Sequence, residues 1–242
     1  MKKVFLACAA FIAGIAACFA GDVASFVDKG FTSDGKYYIF GQYGKTDKKF
    51  QGWAEIYQVD IAANDFVEGG VFLTKPTSVT AGKSGKEVFE GLEAKSYYYF
   101  KNYPSEKANI DNVLYILDDV NKKGTEEIVF KDFRGSEIEN PNSYHIQLVP
   151  TFEGKGKNVK SSFFIMIEKQ DADGNVIARQ KVGSPEIKRK GITDYKIERI
   201  FCDNSEKSLI FVIEKTLEDD AGISIRYMVE AAKLYRNLYK IK

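Results

Sequence analysis

Along most of this chain, apolar residues come in short runs separated by Gly, Asp, Asn and Lys. The turn Ser33-Asp34-Gly35-Lys36 leads into an apolar run at 37–43. Residues 54–60, AEIYQVD, alternate polar and apolar positions, the period of a half-buried strand. Residues 66–73 supply the next strand. After residue 113 the same character returns at 113–117, 128–133 and 144–152. Residues 161–170 and 176–182 flank Asp171-Ala172-Asp173-Gly174-Asn175, whose Asp, Gly and Asn accept the positive φ of a hairpin turn. Further strands are predicted at 195–202, 208–214 and 224–233.

One segment breaks the pattern. After a polar connector at 74–84, Val88, Phe89, Leu92, Tyr99 and Phe100 recur at spacings that suit an amphipathic helix. Ser84 is placed to cap its start, with Glu87 in capping-box position. Pro104 follows its end, and Gly91 weakens its interior. The fold class read from this is mainly β: antiparallel blade-like sheets, partial propeller-like or sandwich, with one helical segment near 85–103.

The opening unit has an echo near the end. Ser33-Asp34-Gly35-Lys36 aligns with Asn204-Ser205-Glu206-Lys207, and Tyr38-Ile39-Phe40 with Leu209-Ile210-Phe211. Ile56-Tyr57-Gln58-Val59-Asp60 aligns with Arg226-Tyr227-Met228-Val229-Glu230. The 161–182 hairpin is a weaker third copy. The Ser-Asp-Gly turn, followed by the Ile-Tyr-x-Val-Asp strand, resembles a blade of a TolB-type β-propeller, although no proline precedes the aspartate here. Three stretches resemble a family of bacterial predicted secreted proteins known only as a domain of unknown function. They are Phe26-Val27-Asp28-Lys29-Gly30-Phe31, Phe40-Gly41-Gln42-Tyr43-Gly44 and Ile225-Arg226-Tyr227-Met228-Val229-Glu230. That resemblance implies export and a shared fold. It transfers no activity and no catalytic residue.

The first twenty residues read as a signal peptide. Lys2 and Lys3 precede an uncharged apolar stretch at 4–17, which is too short for a permanent bilayer span. Cys18-Phe19-Ala20 provides small residues before a cut ahead of Gly21. The expected organisation is a signal peptide at 1–20 and a single β-rich domain at 21–242. That implies a periplasmic or secreted protein with no transmembrane span after cleavage. The alternative is a lipoprotein, because Ile15-Ala16-Ala17-Cys18 resembles a lipidation box that would anchor the chain through Cys18.

Loss of two of the 35 basic residues would leave 33 against 34 acidic ones, so no basic footprint for nucleic acid is expected. Cys202 would be the only cysteine after cleavage at 20, which excludes an internal disulfide.

Candidate chemistry is sparse. His145 is the single histidine, so a triad or a multi-histidine metal site would rest on it alone. It lies in a predicted strand without a serine or cysteine nucleophile motif beside it, and a structural role is expected. Gly82-Lys83-Ser84 lacks the earlier glycine of a phosphate loop, since position 77 is Thr77. The 171–175 loop has its glycine fourth rather than sixth, and Val182 where a calcium loop needs Glu. Asp118-Asp119 and Asp219-Asp220 fall at predicted turns and point apart in a strand. No catalytic residue, metal site or cofactor is assigned.

What remains is aromatic. With 14 tyrosines and 18 phenylalanines, the chain has rings to spare for recognition. Tyr37, Tyr43, Trp53, Tyr97 and Tyr98 are the candidate binding patch. The leading expectation is a non-enzymatic module that binds a macromolecule, an envelope protein or a glycan. The alternative is an exported glycan- or cell-wall-directed hydrolase that uses scattered carboxylates.

Overall fold

A computed structural model describes residues 22–118, 125–132 and 141–234. The described residues form three antiparallel sheets and one α-helix. The N-terminal sheet holds β2 (Ser25–Thr32), β3 (Tyr37–Lys45), β4 (Gly52–Asp60), β5 (Asp65–Thr74) and β6 (Ser105–Glu106), in the order β5-β4-β3-β2-β6. Helix α1 (Gly85–Phe100) follows β5 in the chain. The central sheet runs β1-β15-β14-β13-β7, built from β1 (Asp22–Val23), β7 (Val113–Ile116), β13 (Ile192–Cys202), β14 (Ser208–Asp219) and β15 (Gly222–Lys233). Its one parallel pairing joins β1 to β15. The third sheet runs β11-β10-β9-β8, from β8 (Ile128–Lys131), β9 (Ser143–Glu153), β10 (Lys160–Gln170) and β11 (Val176–Val182). The short β12 (Arg189–Lys190) pairs with β10.

The layers stack as α1, N-terminal sheet, central sheet, third sheet. Strand β14 shows why. Residues 208–213 are all buried, and 209–213 form a continuous apolar run that marks a sheet covered on both faces. Ile210 and Val212 pack on Tyr38, Phe40 and Val59 of the N-terminal sheet. Leu209, Phe211 and Ile213 pack on Ile146, Phe163 and Ile165 of the third. The other face of the N-terminal sheet takes Val88, Phe89 and Leu92 of α1 onto Ile39, Ala54 and Ile56. The helix forms where the spacing predicts. Ser84 Oγ accepts from Glu87 N, and the Glu87 carboxylate accepts from Ser84 N. Backbone and helix approach closely because Gly41 has no Cβ. One there would lie 2.4 Å from the Phe89 ring.

The echo between chain start and chain end is architectural. β2-β3-β4, flanked by β6 and β5, matches β13-β14-β15, flanked by β7 and β1. Gly35 and Glu206, aligned by sequence, both adopt the left-handed conformation, at φ 65° and 55°. Tyr38 and Phe40 face the central sheet, as their counterparts Leu209 and Phe211 face the third. Each sheet thus packs on the next in the same sense, as blades do. The stack stays open: three sheets form among the described residues, below the four of a small propeller. Helix α1 covers the face on which a preceding sheet would pack.

Candidate functional site

The exposed tyrosines of the expected patch lie at the C-terminal end of α1, while Phe50, Phe66 and Phe152 are exposed elsewhere. Four aromatic residues in a row, 97–100, cannot share one helix face, and the chain divides them. Tyr97 and Tyr98 point outward, 60% and 74% exposed, with ring centroids 5.7 Å apart. Lys101 Nζ lies 4.7 Å from the Tyr98 ring centroid, a cation–π pair. Tyr99 and Phe100 turn inward onto Phe72 of β5, each at 5.2 Å. Tyr103 bridges Tyr99 at 5.1 Å and Tyr37 of β3 at 5.6 Å. The Tyr99 hydroxyl donates to Gln58 Oε1 at 2.6 Å. Burial, and then the neighbouring Tyr103, push the Tyr99 phenol up to about 12. Two outward tyrosines therefore sit on the same end of α1 as a packed inward group of rings.

The five aromatics expected to form a patch are distributed differently. Tyr37, Tyr97 and Tyr98 belong to this end of α1. Tyr43 is half-buried against Phe89, on the same sheet face but nearer the helix start. Trp53 is 3% exposed and faces the other way. Its indole N–H donates to the Asp22 carboxylate at 3.1 Å, while the Arg226 guanidinium stacks 4.1 Å over its ring. Arg226 also donates to Asp22 Oδ2 at 2.5 Å and to the Asp22 carbonyl at 2.8 Å. This buried group ties β1 to β15 and does not form a surface with the tyrosines. Cys18 lies outside the described residues.

The carboxylates are mostly structural. At one end of the stack, the two echoed turns meet in a cleft of about 410 Å³ whose lining includes Asp34, Glu106 and Asp203. Asp34 Oδ1 accepts from Thr32 Oγ1 and from Lys36 N. Those bonds hold its carboxyl below the usual range. Asp203 Oδ1 accepts from Lys207 N and Ser208 N, and Oδ2 from Ser205. Asp219 caps Ala221 N and Gly222 N, and Asp220 pairs with Lys157. Asp171 accepts from Asp173 N and Asn175 N and closes its hairpin turn, as expected. Among the described residues, no group of three or more His, Cys, Asp or Glu is arranged to hold a metal ion.

One arrangement escaped the sequence reading. His145 accepts or donates on both ring nitrogens: Ser143 Oγ lies 3.0 Å from Nε2, and Glu127 Oε1 lies 3.1 Å from Nδ1. The Ser-x-His spacing was a signal for the first contact, because alternation puts both side chains on one strand face. The second contact depends on β8 pairing with β9, which no local pattern announces.

A family model described as Predicted secreted protein (DUF2259) matches residues 39–233. No curated protein and no solved structure matches the chain. No helix among the described residues is long and apolar enough to cross a membrane.

Proposed function

Because the chain belongs to this family of predicted secreted proteins, we propose that it is an exported envelope or secreted protein that binds another protein through Tyr97 and Tyr98. The carrying observation is that pair: two large rings exposed at 60% and 74%, side by side on α1, whose inward rings pack on β5. Tyrosines held this way bury much area at little entropic cost. A protein partner fits better than a glycan. Lys101 already covers a Tyr98 face, and the two rings meet at 75°, so they offer no flat platform for a sugar.

Export is proposed to proceed by cleavage after Ala20. Asp22 is docked against Trp53 and Arg226, so a lipidated Cys18 would have only residues 19–21 as its tether. Intact mass distinguishes the two: an N-terminal Gly21 supports release, and a lipid adduct on Cys18 overturns it. A second reading, glycan hydrolysis, draws on the convergence of Asp34, Glu106 and Asp203 in one cleft. The hydrogen bonds that Asp34 and Asp203 accept within their own turns favour a structural role for those two.

Crosslinked capture from the native envelope tests the binding function. A partner recovered with the unsubstituted protein should be lost with Tyr97→Ala/Tyr98→Ala and retained with Val71→Ser, which is also exposed. Equal recovery with the double variant would sink the assignment to α1.

A further inference from the structure

The outer face of the third sheet carries chemistry that protein binding does not use. Ser143 and His145 share that face of β9. Val129 of β8 stands directly opposite His145, and Glu127, two residues earlier, falls on the same side. The resulting row is Ser143 Oγ to His145 Nε2 at 3.0 Å, and His145 Nδ1 to Glu127 Oε1 at 3.1 Å. A carboxylate can only accept, so Nδ1 carries the proton it shares with Glu127. In the neutral ring this leaves Nε2 as the acceptor, and the Ser143 hydroxyl donates to it. That is a nucleophile joined to a base, with the base oriented by a third group.

The surroundings suit a small acyl substrate. Ser143 is half-buried, and the His145 and Glu127 side chains are 18% and 55% exposed, so the row is reachable. Lys131 of β8 and Gln170 of β10 occupy the two positions directly opposite Ser143. They place an ammonium and a carboxamide beside the site of a developing oxyanion. An apolar strip leads away along the same face. Val129 is 53% exposed, and Met166, Val149 and Phe164 are half-buried. Met166 and Phe164 stand opposite Gln147 and Val149, the next two outward positions of β9.

We propose that Ser143, His145 and Glu127 hydrolyse small carboxylic esters, with an apolar acyl chain lying along Val129 and Met166. The Ser143 oxygen bonds to the ester carbonyl carbon as its proton passes to His145 Nε2. The bond to the leaving oxygen then breaks, and His145 returns the proton to that oxygen, releasing an alcohol. Water attacks the acyl-serine by the same route, freeing the carboxylic acid and restoring the hydroxyl. Ser143 and His145 are the catalytic residues. Glu127 is a positioning residue, acting through the ring. Other charges on this face are Lys131, Glu168 opposite His145, Arg179, which pairs with Glu168 at 2.6 Å, and Lys181, opposite Met166 and 4.5 Å from the Phe164 ring centroid.

A fluorophosphonate probe on the mature protein, followed by peptide mapping, tests this directly, with p-nitrophenyl butyrate turnover as the second readout. The label is expected on Ser143. His145→Ala should slow labelling and turnover by about 100-fold or more. Glu127→Gln should slow both by about 10-fold, and Glu127→Asp should regain part of that loss. Absence of label, label on another residue, or a rate unchanged by His145→Ala would overturn the proposal. The mapped position in the unsubstituted protein decides the matter even where a variant fails to fold. The labelled position is read on the unsubstituted protein and involves neither Tyr97 nor Tyr98, so this proposal stands or falls apart from partner binding.

Discussion

The N-terminal sheet and the third sheet lie on opposite sides of the central one, and they treat their outer faces differently. The N-terminal sheet hides Ile39, Ala54 and Ile56 under α1, all at or below 1% exposure. The third sheet leaves Val149, Phe164 and Met166 half-buried among Gln147, Glu168, Arg179 and Lys181. Both sheets pack their inner faces on β14 with full burial. The difference is therefore one of cover and not of core. The covered face contributes to stability and carries rings at its helical rim. The open face keeps polar side chains in reach of solvent, where a nucleophile could meet a substrate.

Truncating rings on the two kinds of surface breaks or confirms this comparison most strongly. Phe89→Ala removes a buried ring from the covered face and is expected to cost about 3–5 kcal/mol in urea unfolding. Phe164→Ala, on the open face, should cost less than about 1.5 kcal/mol. Equal costs would mean that the open face is covered. A smaller effect tests the helical cover. Gly91 is exposed on α1, and a Cβ there meets no atom within 4 Å. Gly91→Ala should raise stability by about 0.5–1 kcal/mol, and a loss would show that the outer surface of α1 is packed on.

The smallest effect concerns the rim where both sides meet. Glu230 of β15 accepts from Asn64 of the N-terminal sheet and lies 3.9 Å from Arg189 beside the third. Burial raises its carboxyl above the ordinary 4.5. The folded protein then holds a proton that the unfolded chain releases. Its contribution therefore falls as pH rises from the ordinary value through the raised one. Glu230→Gln should gain stability at neutral pH relative to the unsubstituted protein, with the gain shrinking toward pH 4. A gain independent of pH would remove this titration from the rim.

How much of this was written locally can be judged residue by residue. Ser84 and Glu87 announce the start of α1, and the structure closes that capping box. The strand predicted at 208–214 forms within β14, though its burial on both faces was not read locally, and the Asp171 to Asn175 loop closes its hairpin. The echo of the first turn in the turn between β13 and β14 is matched by the backbone at Gly35 and Glu206. The fates of the aromatics were not legible in the same way. Trp53 is buried because Asp22 and Arg226 reach it from both ends of the chain. Tyr43 is half-buried because α1 lies over it. Likewise Glu127 meets His145 only through the β8–β9 pairing. Periodicity reports which residues face together. It does not report which distant segment will face them.

The Asp22–Arg226 contact has a consequence for how the molecule comes into being. Its partners are 204 residues apart, and β1 finds its neighbour only in β15. A ribosome delivers Asp22 204 residues before Arg226. The first strand must therefore wait, unpaired, until β15 has emerged, and β15 is also the strand that completes both inter-sheet cores. Closure on so long a loop makes folding slow and late. Until β15 is made, the central sheet stays incomplete and the chain can still be threaded, which suits a polypeptide that has a narrow channel to pass before it folds.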